Sequence, residues 1–168
     1  MGKVTLARID ERLIHGQVMT NLSQNSDANS IFIVDDEIAK DEFMKQVFVN
    51  SGSRTGMTIK IYSVKKCSRY WELRKFDDFN CILLTKTVDS MYRLVKNGIP
   101  IKALNIGGIA KRPNTEFVIS SVAIDARMAA QLREIKESTG ADVYFQTIPS
   151  SKKVSLEDGI KTFDKVKP

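Results

Sequence analysis

Val4-Thr5-Leu6-Ala7-Arg8-Ile9-Asp10-Glu11-Arg12-Leu13-Ile14-His15-Gly16-Gln17-Val18 reads as an apolar strand that runs into a charged turn and out into a helix. His15 is the only histidine in the chain. Two arginines and two acids stand within the seven residues before it, and a glycine follows directly. A nucleophilic imidazole must carry a lone pair on the attacking nitrogen, and cationic neighbours favour the neutral ring. Arg8 and Arg12 supply that environment, and guanidiniums also grip phosphate in bidentate geometry. Charge-assisted hydrogen bonds of this kind contribute about 1.5–3 kcal/mol each. A helix starting at Gly16 adds unpaired N–H groups and a positive dipole end, and the glycine leaves room for phosphate to approach. Asp10 or Glu11 can fix the ring tautomer or steady an arginine; spacing does not choose between them. A salt-bridged surface turn with no ligand is the alternative reading of the same string.

Outward from that stretch, strand-length apolar runs alternate with helical periodicity. Strands are expected at Val4–Ile9, Ile31–Val34, Thr58–Ser63, Cys81–Leu84, Ile101–Ile106, Phe117–Ile119 and Val143–Ile148. Helices are expected over about Gly16–Gln24, Asp36–Val49, Val64–Lys75, from Thr87 to a stop at Gly98, from Asp125 to a stop at Gly140, and over Leu156–Val166. This alternation predicts an α/β protein of three layers: a mostly parallel central sheet with helices on both faces. Ligands of such sheets bind beyond the carboxyl ends of the strands. The His15 loop, the Asp35-Asp36-Glu37 turn and the Gly107-Gly108 segment all fall there.

With 168 residues, 42% hydrophobic and 27% charged, the chain is expected to form one domain over 1–168, with 151–168 as a C-terminal tail or helix after a hinge at Ser150–Lys153. No apolar run is long enough to span a bilayer, and charges from Lys3 onward leave no signal-peptide pattern. Cys67 and Cys81 are too few and too far apart for a metal cluster or redox motif. The net charge of +6 is concentrated between Arg54 and Lys75, where Glu72 is the only acid. That segment is either a solvated helix face or an attractor of an acidic partner or anionic surface. No nucleic-acid motif accompanies it.

The string from Ala7 to Val18 closely resembles the active-site signature of the mannose/fructose/sorbose-family enzyme IIB subunits of the bacterial phosphoenolpyruvate-dependent sugar phosphotransferase system (PTS). Gly98-Ile99-Pro100-Ile101-Lys102-Ala103-Leu104-Asn105-Ile106-Gly107-Gly108-Ile109 is similar to that family's glycine-rich segment. Ile33–Glu42 and Val143–Ser150 resemble its second and last strands. The family often carries Trp a few residues after Gly-Gln-Val, where this chain has Met19-Thr20-Asn21-Leu22. The resemblance implies a cytoplasmic phosphocarrier held at the inner membrane face through the IIC and IID subunits. His15 would accept phosphoryl on Nδ1 from a IIA domain and pass it to a sugar held by IIC and IID. It also implies catalytic roles for His15, Arg12, Arg8 and Asp10, and phosphate contacts from Gly16, Gln17, Gly107 and Gly108. No metal or cofactor is called for, since the intermediate is a phosphohistidine on the protein itself. The run Leu104–Pro113 looks nearest to sorbose-type members, with fructose, mannose and glycated amino acids also open.

Other motifs read more plainly. Asp35, Asp36 and Glu37 fit dipole compensation at a helix start. Asn105-Ile106-Gly107-Gly108 lacks the Gly-Lys-Ser/Thr of a nucleotide loop. Ser63, Lys65 and Lys66 rank below the arginines as phosphate contacts, and Tyr70 and Trp71 read as packing. A histidine phosphatase would need a second histidine. A non-catalytic binding module that keeps the fold is the main alternative.

Overall fold

The computed structural model describes residues 1–15 and 27–164. Its main sheet has seven strands: β1 (Lys3–Asp10), β2 (Ser30–Val34), β3 (Thr58–Tyr62), β4 (Asn80–Thr85), β5 (Ala103–Gly108), β8 (Asp142–Phe145) and β9 (Val154–Ser155). Their order is β3-β2-β4-β1-β5-β8-β9, and every pairing is parallel except β8 with β9. β6 (Glu116–Ile119) and β7 (Val122–Ile124) form a separate antiparallel hairpin. The helices are α1 (Asp36–Ala39), α2 (Glu42–Gly52), α3 (Val64–Arg74), α4 (Val88–Lys96), α5 (Ala126–Thr139), α6 (Leu156–Gly159) and α7 (Lys161–Asp164).

Period-two alternation explains the layering. Ile31 and Ile33 of β2 and Ile82 and Leu84 of β4 face one side, where Met44 and Phe48 of α2 cover them. Phe32, Val34, Cys81 and Leu83 face the other side, against Val64 and Cys67 of α3, Met91 and Leu94 of α4, and Leu132 and Ile135 of α5. Both cysteines are unpaired and buried, and burial pushes the Cys67 thiol up to about 12. Side-chain caps start the helices: Asp35, Asp41, Ser63, Thr87 and Asp125 each accept from the backbone N–H three residues on. Gly140, at φ +70°, ends α5 in the left-handed conformation a glycine takes without strain.

Several expected boundaries shift. The helix expected over Asp36–Val49 is two helices, because Asp41 caps a new start after α1 ends. β5 runs through Gly108, and β8 ends at Phe145 rather than Ile148. The terminal helix is interrupted at Ile160, and its expected end at Val166 lies outside the described residues, as does the helix expected over Gly16–Gln24. The hinge expected at Ser150–Lys153 is tied down. Ser151 closes a turn onto Ile148, Gln146 Nε2 donates to Ser151 O at 2.8 Å, and Lys153 pairs with Asp142 at 2.7 Å. β9, which carries too little sequence to signal a strand, then adds to β8. Leu156 and Ile160 bury themselves in the main core, so 151–164 is an integrated element rather than a loose tail.

Strand β1 lies at the centre of the sheet, and the chain passes from its β4 side to its β5 side. That is the topological switch point, where the carboxyl ends of the strands diverge and leave a crevice. The His15 loop leaves β1 there.

Candidate functional site

Alternation along β1 sends Ala7 and Ile9 into the main core and leaves Arg8 and Asp10 on the opposite face. Register completes the row: Arg8 lies beside Asn105 of β5, and Asn105 beside Tyr144 of β8. After Asp10 the chain turns sharply. Leu13 N–H donates to Asp10 O at 3.0 Å, and Leu13 sits at φ +57° with its side chain buried in the smaller core. A left-handed leucine costs about 1–3 kcal/mol and persists where its surroundings fix it. Its buried side chain is such an anchor, and it brings Arg12 and His15 back over Asp10.

Asp10 is fully buried and is the hub. Its Oδ1 accepts from Arg12 N and Arg12 Nε, each at 3.0 Å. Its Oδ2 accepts from Arg12 Nη2 and Arg8 Nη2, each at 3.0 Å, and faces His15 Nε2 at 3.2 Å. Burial pushes the Asp10 carboxyl up, but hydrogen bonds from the Arg12 side chain and backbone, with the charges of Arg8 and Arg12, outweigh it and hold the carboxyl below the usual range. An ionised Asp10 can only accept, so Nε2 carries the proton in this contact and the lone pair of a neutral ring falls on Nδ1. His15 is partly exposed and Arg12 is half-exposed, so both reach solvent from the same carboxylate oxygen.

The expected residues separate here. His15, Arg12 and Asp10 come together. Arg8 does not line the opening: it is 1% exposed, and its fork is spent on interior partners. Nη1 donates to Asn105 Oδ1, and Nη2 donates to Thr147 O at 2.9 Å as well as to Asp10. Burial pulls the Arg8 pKa down and the Asp10 charge opposes it. Gly107 and Gly108 are buried strand residues of β5, not the turn after it. A Cβ on Gly107 would lie 2.1 Å from Arg8 Nη2, and one on Gly108 would lie 2.6 Å from Asp10 Oδ1. These glycines make space for the two side chains, a need that only the fold reveals. Gly16 and Gln17 lie outside the described residues, as do Met19–Leu22.

The acidic turn is committed elsewhere. Asp35 caps α1, while Asp36 accepts from Val64 N at 2.9 Å and pairs with Arg93 at 3.0 Å. Glu11 accepts from Ala110 N at 3.0 Å and pairs with Arg112, so of the two candidate acids it is Asp10 that meets the ring. Ser63 spends its hydroxyl on the α3 cap. Trp71 packs on Phe76 with ring centroids 5.0 Å apart, and Tyr70 donates to Asp77 at 2.8 Å. Among the described residues no group of histidine, cysteine or acidic side chains could hold a metal ion. Nothing local in the sequence marks Asn105 and Thr147 as partners of Arg8, because these contacts cross three strands.

Comparison with known proteins decides the family. The model of the PTS system sorbose subfamily IIB component matches residues 4–168. This chain belongs to that family. The IIB chain is 35% identical to the sorbose-specific EIIB component of Lacticaseibacillus casei, covering 80% of this chain and 81% of the relative. It is 28% identical to the mannose-specific EIIAB component of Escherichia coli strain K12, covering 96% of this chain but half of that relative. Its fold superposes on the crystal structure of manxB from Thermoanaerobacter tengcongensis with a TM-score of 0.89 at 38% identity, covering 100% and 99% of the two chains.

Proposed function

We propose that this IIB chain is a phosphocarrier whose His15 takes a phosphoryl group from a IIA domain and passes it to a sugar at the IIC and IID subunits. The observation that carries this reading is the Asp10–His15 contact, which occupies Nε2, puts the neutral ring's lone pair on Nδ1 and shares Asp10 Oδ2 with the half-exposed Arg12. In the first step the Nδ1 lone pair forms the new P–N bond. The P–N bond to the donor histidine breaks, and its electron pair returns to the donor ring. In the second step a sugar hydroxyl oxygen attacks phosphorus, the P–Nδ1 bond breaks, its pair returns to His15, and the hydroxyl proton leaves. Arg12 stabilises charge on the equatorial oxygens in both steps. Asp10 steadies the positive charge that gathers on the ring while Nδ1 is bonded to phosphorus.

A relay must be reachable from two partners in turn, and the open setting of His15 and Arg12 suits that. Fusion of IIA and IIB in the Escherichia coli mannose relative supports IIA as donor. Among the described residues no helix is long and apolar enough to cross a membrane. The sorbose-type relatives favour a ketose as the sugar, with selectivity residing in the membrane subunits.

The test is phosphoryl transfer from phosphoenolpyruvate through the general phosphotransferase proteins and a cognate IIA, read by intact mass. Wild type should gain one acid-labile phosphoryl group and His15→Ala none. A folded wild type that stays unlabelled with several IIA partners would replace this reading with a binding module that keeps the IIB fold.

A further inference from the structure

We infer that Asn105 is a positioning residue for His15, acting through Arg8 and Asp10; the inference deepens the phosphocarrier reading and rests on it. Arg8 is too deeply buried to touch a ligand, yet it holds the carboxylate that holds the ring. What fixes Arg8 is a pocket of interior acceptors. Asn105 Oδ1 takes Nη1, and Thr147 O takes Nη2 at 2.9 Å. Gly107 provides the space in front of the guanidinium. Ser121 ties the far wall, donating to Gly107 O at 2.9 Å and sharing a hydrogen bond with Thr147 Oγ1 at 2.7 Å.

The amide of Asn105 has one permitted orientation. Its Nδ2 donates to Gln146 O at 3.0 Å, an acceptor only, so Oδ1 must face Arg8. Chemistry also dictates an amide here. A carboxylate at 105 would compete with Asp10 for Arg8. An apolar side chain would strand Nη1 beside Nε, which already lacks a hydrogen-bond partner among the described residues. Among the described residues, the further charged and titratable groups acting on Arg8 are Arg12 from the loop and Tyr144 from β8, whose hydroxyl burial keeps protonated. Neither takes the place of Asn105 against Nη1. The side chains thus form one line, Asn105 to Arg8 to Asp10 to His15, from β5 to the loop after β1.

The experiment compares wild type, Asn105→Ala, Arg8→Lys and the double variant in single-turnover transfer from phosphorylated IIA, together with imidazole 15N spectra of the unphosphorylated proteins. Asn105→Ala should slow transfer about 10- to 100-fold at saturating donor. Its KM for the donor should stay within about twofold, and it should still accept one phosphoryl group per folded chain, because Asn105 is not at the surface. The double variant should be no slower than Arg8→Lys alone, since the two residues act in series. The wild-type spectrum should show the Nε2–H tautomer alone, and Asn105→Ala a mixture. Transfer within about twofold of wild type in Asn105→Ala, or losses that multiply in the double variant, would overturn the inference. Gly107→Ala guards against a misfolded Asn105→Ala: its methyl meets the Arg8 guanidinium and displaces it while the Asn105 side chain is kept, and unchanged transfer and tautomer there would equally overturn it. The spectra need no phosphoryl donor. A wild type that shows the predicted tautomer contrast but takes no phosphoryl group would therefore sink the phosphocarrier reading and leave the positioning role standing.

Discussion

Asp10 accepts five hydrogen bonds from described residues, and two of its partners are cations set against each other across one carboxylate. This arrangement divides the two arginines. Arg12 is half-exposed but gives two side-chain hydrogen bonds to the buried Asp10 carboxylate, so Arg12→Ala should remove phosphate stabilisation and also weaken the cluster. Loss of one such charged contact is expected to slow transfer per folded molecule about 100- to 1,000-fold, with the thermal unfolding temperature lowered as well because Asp10 loses two side-chain donors. Transfer at the wild-type rate would remove Arg12 from the mechanism. Asp10→Asn should instead destabilise the fold by about 3–5 kcal/mol, because it strands the buried Arg8 charge. The pH dependence has a definite sign. The folded Asp10 carboxyl lies below its unfolded value, so its stabilisation is complete above about pH 4 and is lost as pH falls through the folded value. Urea unfolding across pH should show the gap between wild type and Asp10→Asn flat at neutral pH and closing in acid. A constant gap down to low pH would contradict this.

At the scale of elements, local signals were legible and crossing contacts were not. The apolar runs of β2 and β4 and the caps Thr87 and Asp125 announced their elements, because each rests on neighbours within a turn. The strand-turn layout around His15 was legible for the same reason. Hidden from the sequence were the break at Asp41, the pairing of two-residue β9 with β8, and the duty of Gly107 and Gly108 as space for Arg8 and Asp10. Each depends on what stands across the sheet. The acidic turn shows the same limit. Asp36 ties α1 to α3 and α4 through Val64 N and Arg93. Asp36→Ala should cost about 1–3 kcal/mol in urea unfolding, while transfer per folded molecule stays unchanged. A selective loss of transfer would give the acidic turn a part in the chemistry.

Across the whole molecule, one core links β1 near the N-terminus to Ile160. Leu156 is 1% exposed, and Phe145 packs so closely on Gly159 that a Cβ there would lie 2.4 Å from its ring. Leu156→Ala should therefore lower unfolding free energy by about 2–5 kcal/mol, as a core substitution does; a near-silent variant would mark 151–164 as dispensable. Sheet, core and register converge on one arrangement, a loop at the switch point with Nε2 of His15 on Asp10, which puts the neutral ring's lone pair on Nδ1. The most direct test is the position of the phosphoryl group on the phosphorylated protein, read by 15N and 31P NMR. The phosphorus should be bonded to Nδ1 of His15 with Nε2 still protonated. Phosphorus on Nε2, or on any residue other than His15, would contradict the account.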